Sequence, residues 1–196
     1  MRLYTGPTTP FGRMVEVLAI EAGITLEREV VAVTDAAFLD DLNPLRLIPT
    51  LLASDGTAIF DSRVICRYLA ALRPELGLYP PRDDWAFETR LALITGIMDA
   101  GVARQGERLR PEGMRSEQAI AVLERQILNG IARLEQDAGE ICAGPPRMDR
   151  IAAAVLLAYT DFRFTRDWRE TAPRLSEWME TQVLLPSMLQ TAFVAR

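Results

Sequence analysis

A chain of 196 residues, 49% hydrophobic and 25% charged, has the composition of an ordinary soluble protein and is long enough for one large domain or two small ones. Its formal net charge of -5, without a basic block, makes it a poor nucleic-acid binder, because neutralising phosphates supplies most of that affinity. There is no histidine and all 22 basic residues are arginine, which excludes Ser-His-Asp and Cys-His hydrolases, Schiff-base lysine chemistry, a P-loop and the usual histidine-containing zinc sites. Catalysis must then use hydroxyls, carboxylates, backbone dipoles, arginine, or a nucleophile that arrives with a ligand; no metal is expected. The longest apolar run, Ile151 to Tyr159, is too short to span a bilayer. The N-terminus enters a strand pattern directly, so no targeting segment is expected. Cys66 and Cys142 share no metal or redox spacing, and a reducing, cytoplasmic setting is the default.

Arg2 to Thr5 reads as a short strand, and Gly6 to Pro10 as a loop. A helix pattern follows from Pro10 through Phe11, Val15, Leu18 and Ala22 to Gly23, with proline at its start and glycine just past its end. Glu27 to Val33 is a valine-rich strand. Strand, helix and strand at this length form a βαβ unit, so the two strands should be parallel. Residues 34–44 form an irregular or short helical connection. Thr50 to Ala53 and Thr57 to Phe60 flank an Asp55-Gly56 turn, a strong hairpin signal. A helix opens at Asp61-Ser62, carries Ile65, Leu69 and Leu72 at helical spacing, and stops near Pro74.

Pro74 to Pro81 reads as a linker, after which the strand signal vanishes. Helix patterns cover Asp83 to Arg108, Ser116 to Ala138, Met148 to about Phe162 and about Arg174 to Leu185, the last halting at Pro186. The nearly all-apolar 148–162 stretch should be the buried helix of this half. The change from mixed α/β to all-α near residue 80 predicts two domains, 1–76 and 83–196.

This order resembles the cytosolic glutathione S-transferase family along the whole chain. The βαβ-ββα half, with Ile48-Pro49 before the third strand and Asp61-Ser62 opening the next helix, is similar to the family's thioredoxin-like domain. The remainder resembles its all-α C-terminal domain. The segment Leu3 to Arg13 is similar to that of bacterial members carrying serine or threonine before Pro-Phe or Pro-Tyr. Asn43-Pro44-Leu45 leading to Pro49, Asp161 to Phe164, and Leu175 to Trp178 also look like segments of that subgroup.

The resemblance implies glutathione as co-substrate. The N–H groups and Ser62 hydroxyl at the helix start suit its γ-glutamyl carboxylate, and the Asp61 carboxylate suits its ammonium. Asp61 and Ser62 also read as plain helix caps, and the two roles are compatible. By resemblance the Ile48–Pro49 bond is cis, presenting the Ile48 backbone to the cysteinyl part of glutathione like an added strand. Thr9 stands where the family's activating hydroxyl or cysteine lies. It reads equally as a thiolate stabiliser or as an N-cap before Pro10, and Thr8 is the second candidate donor. Arg46 is a candidate for the glycine carboxylate.

An electrophile pocket between the domains would use Phe11, Tyr159, Arg163 and Trp168, with Met98 and Val102 nearby. Arg104, Arg108 and Arg110 read as a solvated helix face sooner than a substrate anchor. Three features depart from the family pattern: Gly6 replaces a common serine, Arg46-Leu47 a common Gly-Lys pair, and Arg147 and Arg150 a common capping box, with Asp149 as a shifted cap. The resemblance thus implies conjugation of the glutathione thiolate to a small electrophile by a homodimer, with no membrane or nucleic-acid partner. The alternatives are a non-catalytic ligand- or protein-binding relative and a glutathione-dependent lyase or isomerase.

Overall fold

A computed structural model describes residues 1–194. The chain divides into two units: the first holds residues 1–79 together with 146–148 and the described residues from Pro186 onward, and the second holds 80–145 and 149–185.

The first unit is built on a four-stranded sheet, β1 (Arg2–Thr5), β2 (Glu27–Val30), β3 (Thr50–Leu52) and β4 (Ala58–Ile59), in the order β2-β1-β3-β4. Helix α1 (Pro10–Glu21) connects β1 to β2, which pair in parallel as the βαβ pattern predicts, with Arg2 opposite Glu27. β1 and β3 are antiparallel, as are β3 and β4. The central strand β1 is buried on both faces, Leu3, Tyr4 and Thr5 all being inaccessible or nearly so. One face receives Met14, Val15 and Leu18 of α1 and Ile65, Cys66 and Leu69 of α2 (Ser62–Ala71), all buried. On the other, Tyr4 packs with Ala36 and Leu39 of the 37–41 turn, its ring 5.1 Å from that of Phe38. The edge strand β2 reads Glu-Arg-Glu-Val; Glu27 and Glu29 pair with Arg2, Arg28 pairs with Glu16, and these charges blunt the edge against further strand addition.

The second unit is helical: α3 (Trp85–Arg108), α4 (Glu117–Gln136), α5 (Ala138–Ile141), α6 (Met148–Arg163), α7 (Trp168–Thr171) and α8 (Pro173–Gln182). Among the described residues, the side chains of Asp61, Asp84 and Ser116 cap the starts of α2, α3 and α4. α3 and α4 pass closely enough that a methyl group on Gly130 would lie 2.5 Å from Ile97, so only glycine fits that crossing. Ala152 to Leu157 of α6 are buried throughout, in keeping with its apolar sequence.

Four expectations are corrected or extended. Pro186 does not merely end a helix; it opens another, α9 (Pro186–Gln190), which packs on α1 in the first unit. The single turns α5 and α7 lie almost wholly outside the expected helix patterns, being too short to show a period. Asp149 is the second residue of α6 and fully buried: its Oδ1 accepts from the first-turn N–H of Arg150 at 3.0 Å, as a shifted cap would, while its Oδ2 accepts from Arg90 Nε at 2.8 Å, a partner the local sequence does not signal. Arg104 is not solvated: it is 7% exposed, donates to Glu124 at 2.8 Å and to the Arg163 carbonyl at 3.0 Å, and lies over the Phe164 ring.

Candidate functional site

Three pieces of the first unit carry the candidate site: the loop into α1, the loop before β3, and the start of α2.

Thr9 occupies the N-cap position of α1 with extended backbone (φ -77°, ψ 127°), but its side chain makes no capping hydrogen bond. The reason is packing. Its methyl group faces Gly6 and Gly12, since a methyl on Gly12 would fall 2.8 Å from Thr9 Cγ2 and only 1.9 Å from Thr5 Oγ1. Glycine at position 12 is therefore what lets the 5–9 loop close down on the helix start. Proline at the first position removes one of the free donors there, and the amides of Phe11 and Gly12 remain at the positive end of the helix dipole. Thr8 and Phe11 are half-buried on either side of Thr9.

The loop before β3 is pinned by Asn43, a residue whose role the sequence reading missed. It is 1% exposed, and its amide donates to the Leu47 carbonyl at 3.1 Å and to Thr50 Oγ1 at 3.2 Å, while its Oδ1 accepts from Leu45 N–H. Thr50 in turn donates to the Leu47 carbonyl at 2.8 Å. An asparagine directly before a proline in a loop is a turn signal, and an Asx turn is what forms. This network shapes residues 43–50; within it the Ile48–Pro49 peptide is cis, and Pro49 is buried. Arg46, with φ +49°, is bound to Asp40 through Nε at 2.6 Å, and this pair holds the Asp40 carboxyl below its ordinary range. The expected carboxylate anchor is thus engaged in an ion pair, though an exposed one of small worth.

At the third piece, Asp61 Oδ1 accepts from the N–H groups of Arg63 at 3.0 Å and Val64 at 3.4 Å, and Oδ2 lies 3.2 Å from Arg63 Nη2. The cap reading of Asp61 is therefore physically realised. Its side chain stays 56% exposed, leaving the carboxylate reachable by a ligand cation. Ser62 is buried to 4% exposure at the first helical position. The Phe60–Asp61 peptide is also cis, which nothing in the sequence signals.

The remaining candidates lie in the second unit. Tyr159 and Arg163 share the lining of a cavity of about 10 Å³ with Gly101 and Arg104, room for no more than a single water. Burial pushes the Tyr159 hydroxyl pKa up, so it is neutral at physiological pH. Trp168 is not brought to that cavity. It is fully buried, with its indole N–H donating to Asp161 at 2.8 Å, so its ring serves as core rather than as an accessible pocket wall. Cys66 is fully buried and its thiol pKa is driven up by burial, which leaves it inert as a nucleophile. Among the described residues no helix is long and apolar enough to cross a membrane, and no group of three or more acidic or cysteine side chains is placed to hold a metal ion.

Comparison with known proteins agrees with this fold. Residues 8–72 match the family model described as "Glutathione S-transferase, N-terminal domain". The chain is similar to a glutathione S-transferase of Methylobacillus flagellatus KT solved with glutathione bound, at 32% identity and a TM-score of 0.90 over 98% of this chain and 99% of that one. It is equally similar to a glutathione transferase family member of Pseudomonas fluorescens Pf-5 with bound glutathione, at 32% identity and a TM-score of 0.90 over 99% of each chain. The "Uncharacterized GST-like protein YibF" of Escherichia coli K12 is 29% identical over 97% of this chain and 98% of its own. A thioredoxin-like unit, a helical unit and relatives matched end to end place this chain in the cytosolic glutathione S-transferase superfamily.

Proposed function

We propose that this protein is a glutathione transferase that joins the glutathione sulfur to a small electrophile. The observation that carries the reading is the state of Thr9: it stands at the cap position, yet its hydroxyl is not spent on capping the helix. A hydroxyl left over at the positive end of a helix suits one task well, donating to an anion. In this reading the anion is the thiolate of glutathione, stabilised by Thr9 O–H and the first amides of α1. Thr8 is the reserve donor.

The ligand's backbone pairs with Ile48 beside Pro49, its γ-glutamyl carboxylate rests on Ser62 and the start of α2, and its ammonium meets the exposed oxygen of Asp61. Arg46 exchanges Asp40 for the glycine carboxylate. Glutathione-bound relatives matched over nearly their full length support this placement. In the reaction the thiol proton passes to solvent, a sulfur lone pair forms the new S–C bond, and the leaving group departs with the electrons of its own bond. A twofold homodimer and a cytoplasmic setting belong to the same proposal and rest on family membership.

The test is absorbance of the conjugate formed from glutathione and chlorodinitrobenzene. Saturable, glutathione-dependent turnover above the uncatalysed rate is expected. Glutathione binding without turnover, for this and other classes of electrophile, would favour the non-catalytic relative instead.

A further inference from the structure

Beside Thr9 a groove of about 380 Å³ opens within the first unit, in the size range of small-molecule sites. Its lining includes Gly6, Pro7 and Thr9 from the loop into α1, Arg13 of α1, and the wall from Gln190 to Val194. The segment that makes that last wall lies far away in sequence. Ser187 donates to Glu21 at the far end of α1. At the near end the segment is attached to Arg13, which is 6% exposed. Its Nη2 donates to the Met188 carbonyl at 2.9 Å, its Nε donates to Thr191 Oγ1 at 3.2 Å, and its guanidinium plane lies 4.4 Å from the centre of the Phe193 ring. One planar fork thus grips three successive parts of the segment, a task that lysine's single ammonium cannot reproduce.

We propose that Arg13 is a positioning residue for the second substrate: by anchoring residues 188–193 it builds the wall of the groove into which the electrophile enters next to Thr9. This rests on the transferase reading above. The groove's mixed lining, with the Thr9 hydroxyl and the Glu16–Arg28 ion pair beside Pro7, Val30 and Phe193, suits a small electrophile bearing both an apolar body and a polar group. Burial lowers the Arg13 pKa to about 10, which still leaves the guanidinium charged at neutral pH and its three attachments intact.

The experiment compares Arg13→Met, Arg13→Lys and Phe193→Ala with the parent protein. Amide hydrogen exchange follows residues 187–193, and steady-state kinetics follow KM for glutathione and for chlorodinitrobenzene separately. For Arg13→Met, exchange of that segment should rise roughly tenfold or more, the electrophile KM should rise roughly tenfold, and the glutathione KM should stay within about twofold. Arg13→Lys should fall between, and Phe193→Ala, which leaves α1 untouched, should shift the same constants in the same direction. Unchanged exchange would overturn the anchoring. Faster exchange with an unchanged electrophile KM, or an equal rise in both KM values, would overturn the substrate role. A parent protein without turnover on chlorodinitrobenzene and on other classes of electrophile would refute the transferase reading before any variant is made, and the substrate role of Arg13 with it.

Discussion

Thr9→Val is expected to cut turnover roughly 10- to 150-fold, the value of a charged hydrogen bond of about 1.5–3 kcal/mol, while glutathione affinity at low pH stays nearly unchanged. Valine keeps the shape and the methyl contacts with Gly6 and Gly12 and deletes only the donor. Because the hydroxyl gives the helix no capping bond, its loss should not weaken α1, and thermal stability should hold. The sign of the pH effect follows from the same bond. A donor to the thiolate lowers the thiol pKa, so its removal raises that pKa and moves the rising limb of the pH–rate profile to higher pH. Measuring kcat against pH for both proteins checks this. An unmoved profile would transfer the role to Thr8 or to the amides of Phe11 and Gly12.

Asp149→Ala is expected to destabilise the helical unit by about 3–5 kcal/mol, because it leaves the buried Arg90 guanidinium without its carboxylate. Against a total stability of order 5–15 kcal/mol, that lowers the melting temperature by roughly 10 °C. The pair itself is weak evidence of net stabilisation, since removing two ions from water offsets most of their attraction. The double replacement Arg90→Met, Asp149→Leu should therefore recover most of the loss. Thermal melts of the single and double variants decide the matter; a single variant melting with the parent would mean that water or another group already satisfies Arg90.

These two residues also show where sequence reading succeeds and where it stops. The sheet, its parallel β1–β2 pair, the Asp55-Gly56 hairpin and the long helices follow from local signals: periodicity, caps and turn chemistry. The helix-start positions of Thr9, Asp61 and Ser62 were legible because a cap residue and its neighbour carry a local signal, whereas the cis Ile48–Pro49 bond was expected only from the family resemblance. Arg13, Asn43, Arg104 and Asp149 were not legible. Each is a polar side chain whose burial depends on a partner, and for three of them that partner is distant: Met188 is 175 positions from Arg13, Arg163 is 59 from Arg104, and Arg90 is 59 from Asp149. Their local sequence reads as surface. Asn43 is the exception, since its Asx turn is local and its partners lie within seven positions. Trp168 differs in the opposite sense: the family resemblance made it a pocket candidate, while the Asp161 carboxylate satisfies its indole N–H and lets the ring bury completely.

The most direct measurement is a titration of backbone amide resonances with glutathione, run in parallel on Asp61→Ala. Saturable shifts at Ile48, Ser62 and Arg63, and at Phe11 and Gly12 near Thr9, are expected, with affinity weakened roughly tenfold or more in the variant. Amides at these positions that stay still at millimolar glutathione, or a variant that binds as tightly as the parent, would contradict the site.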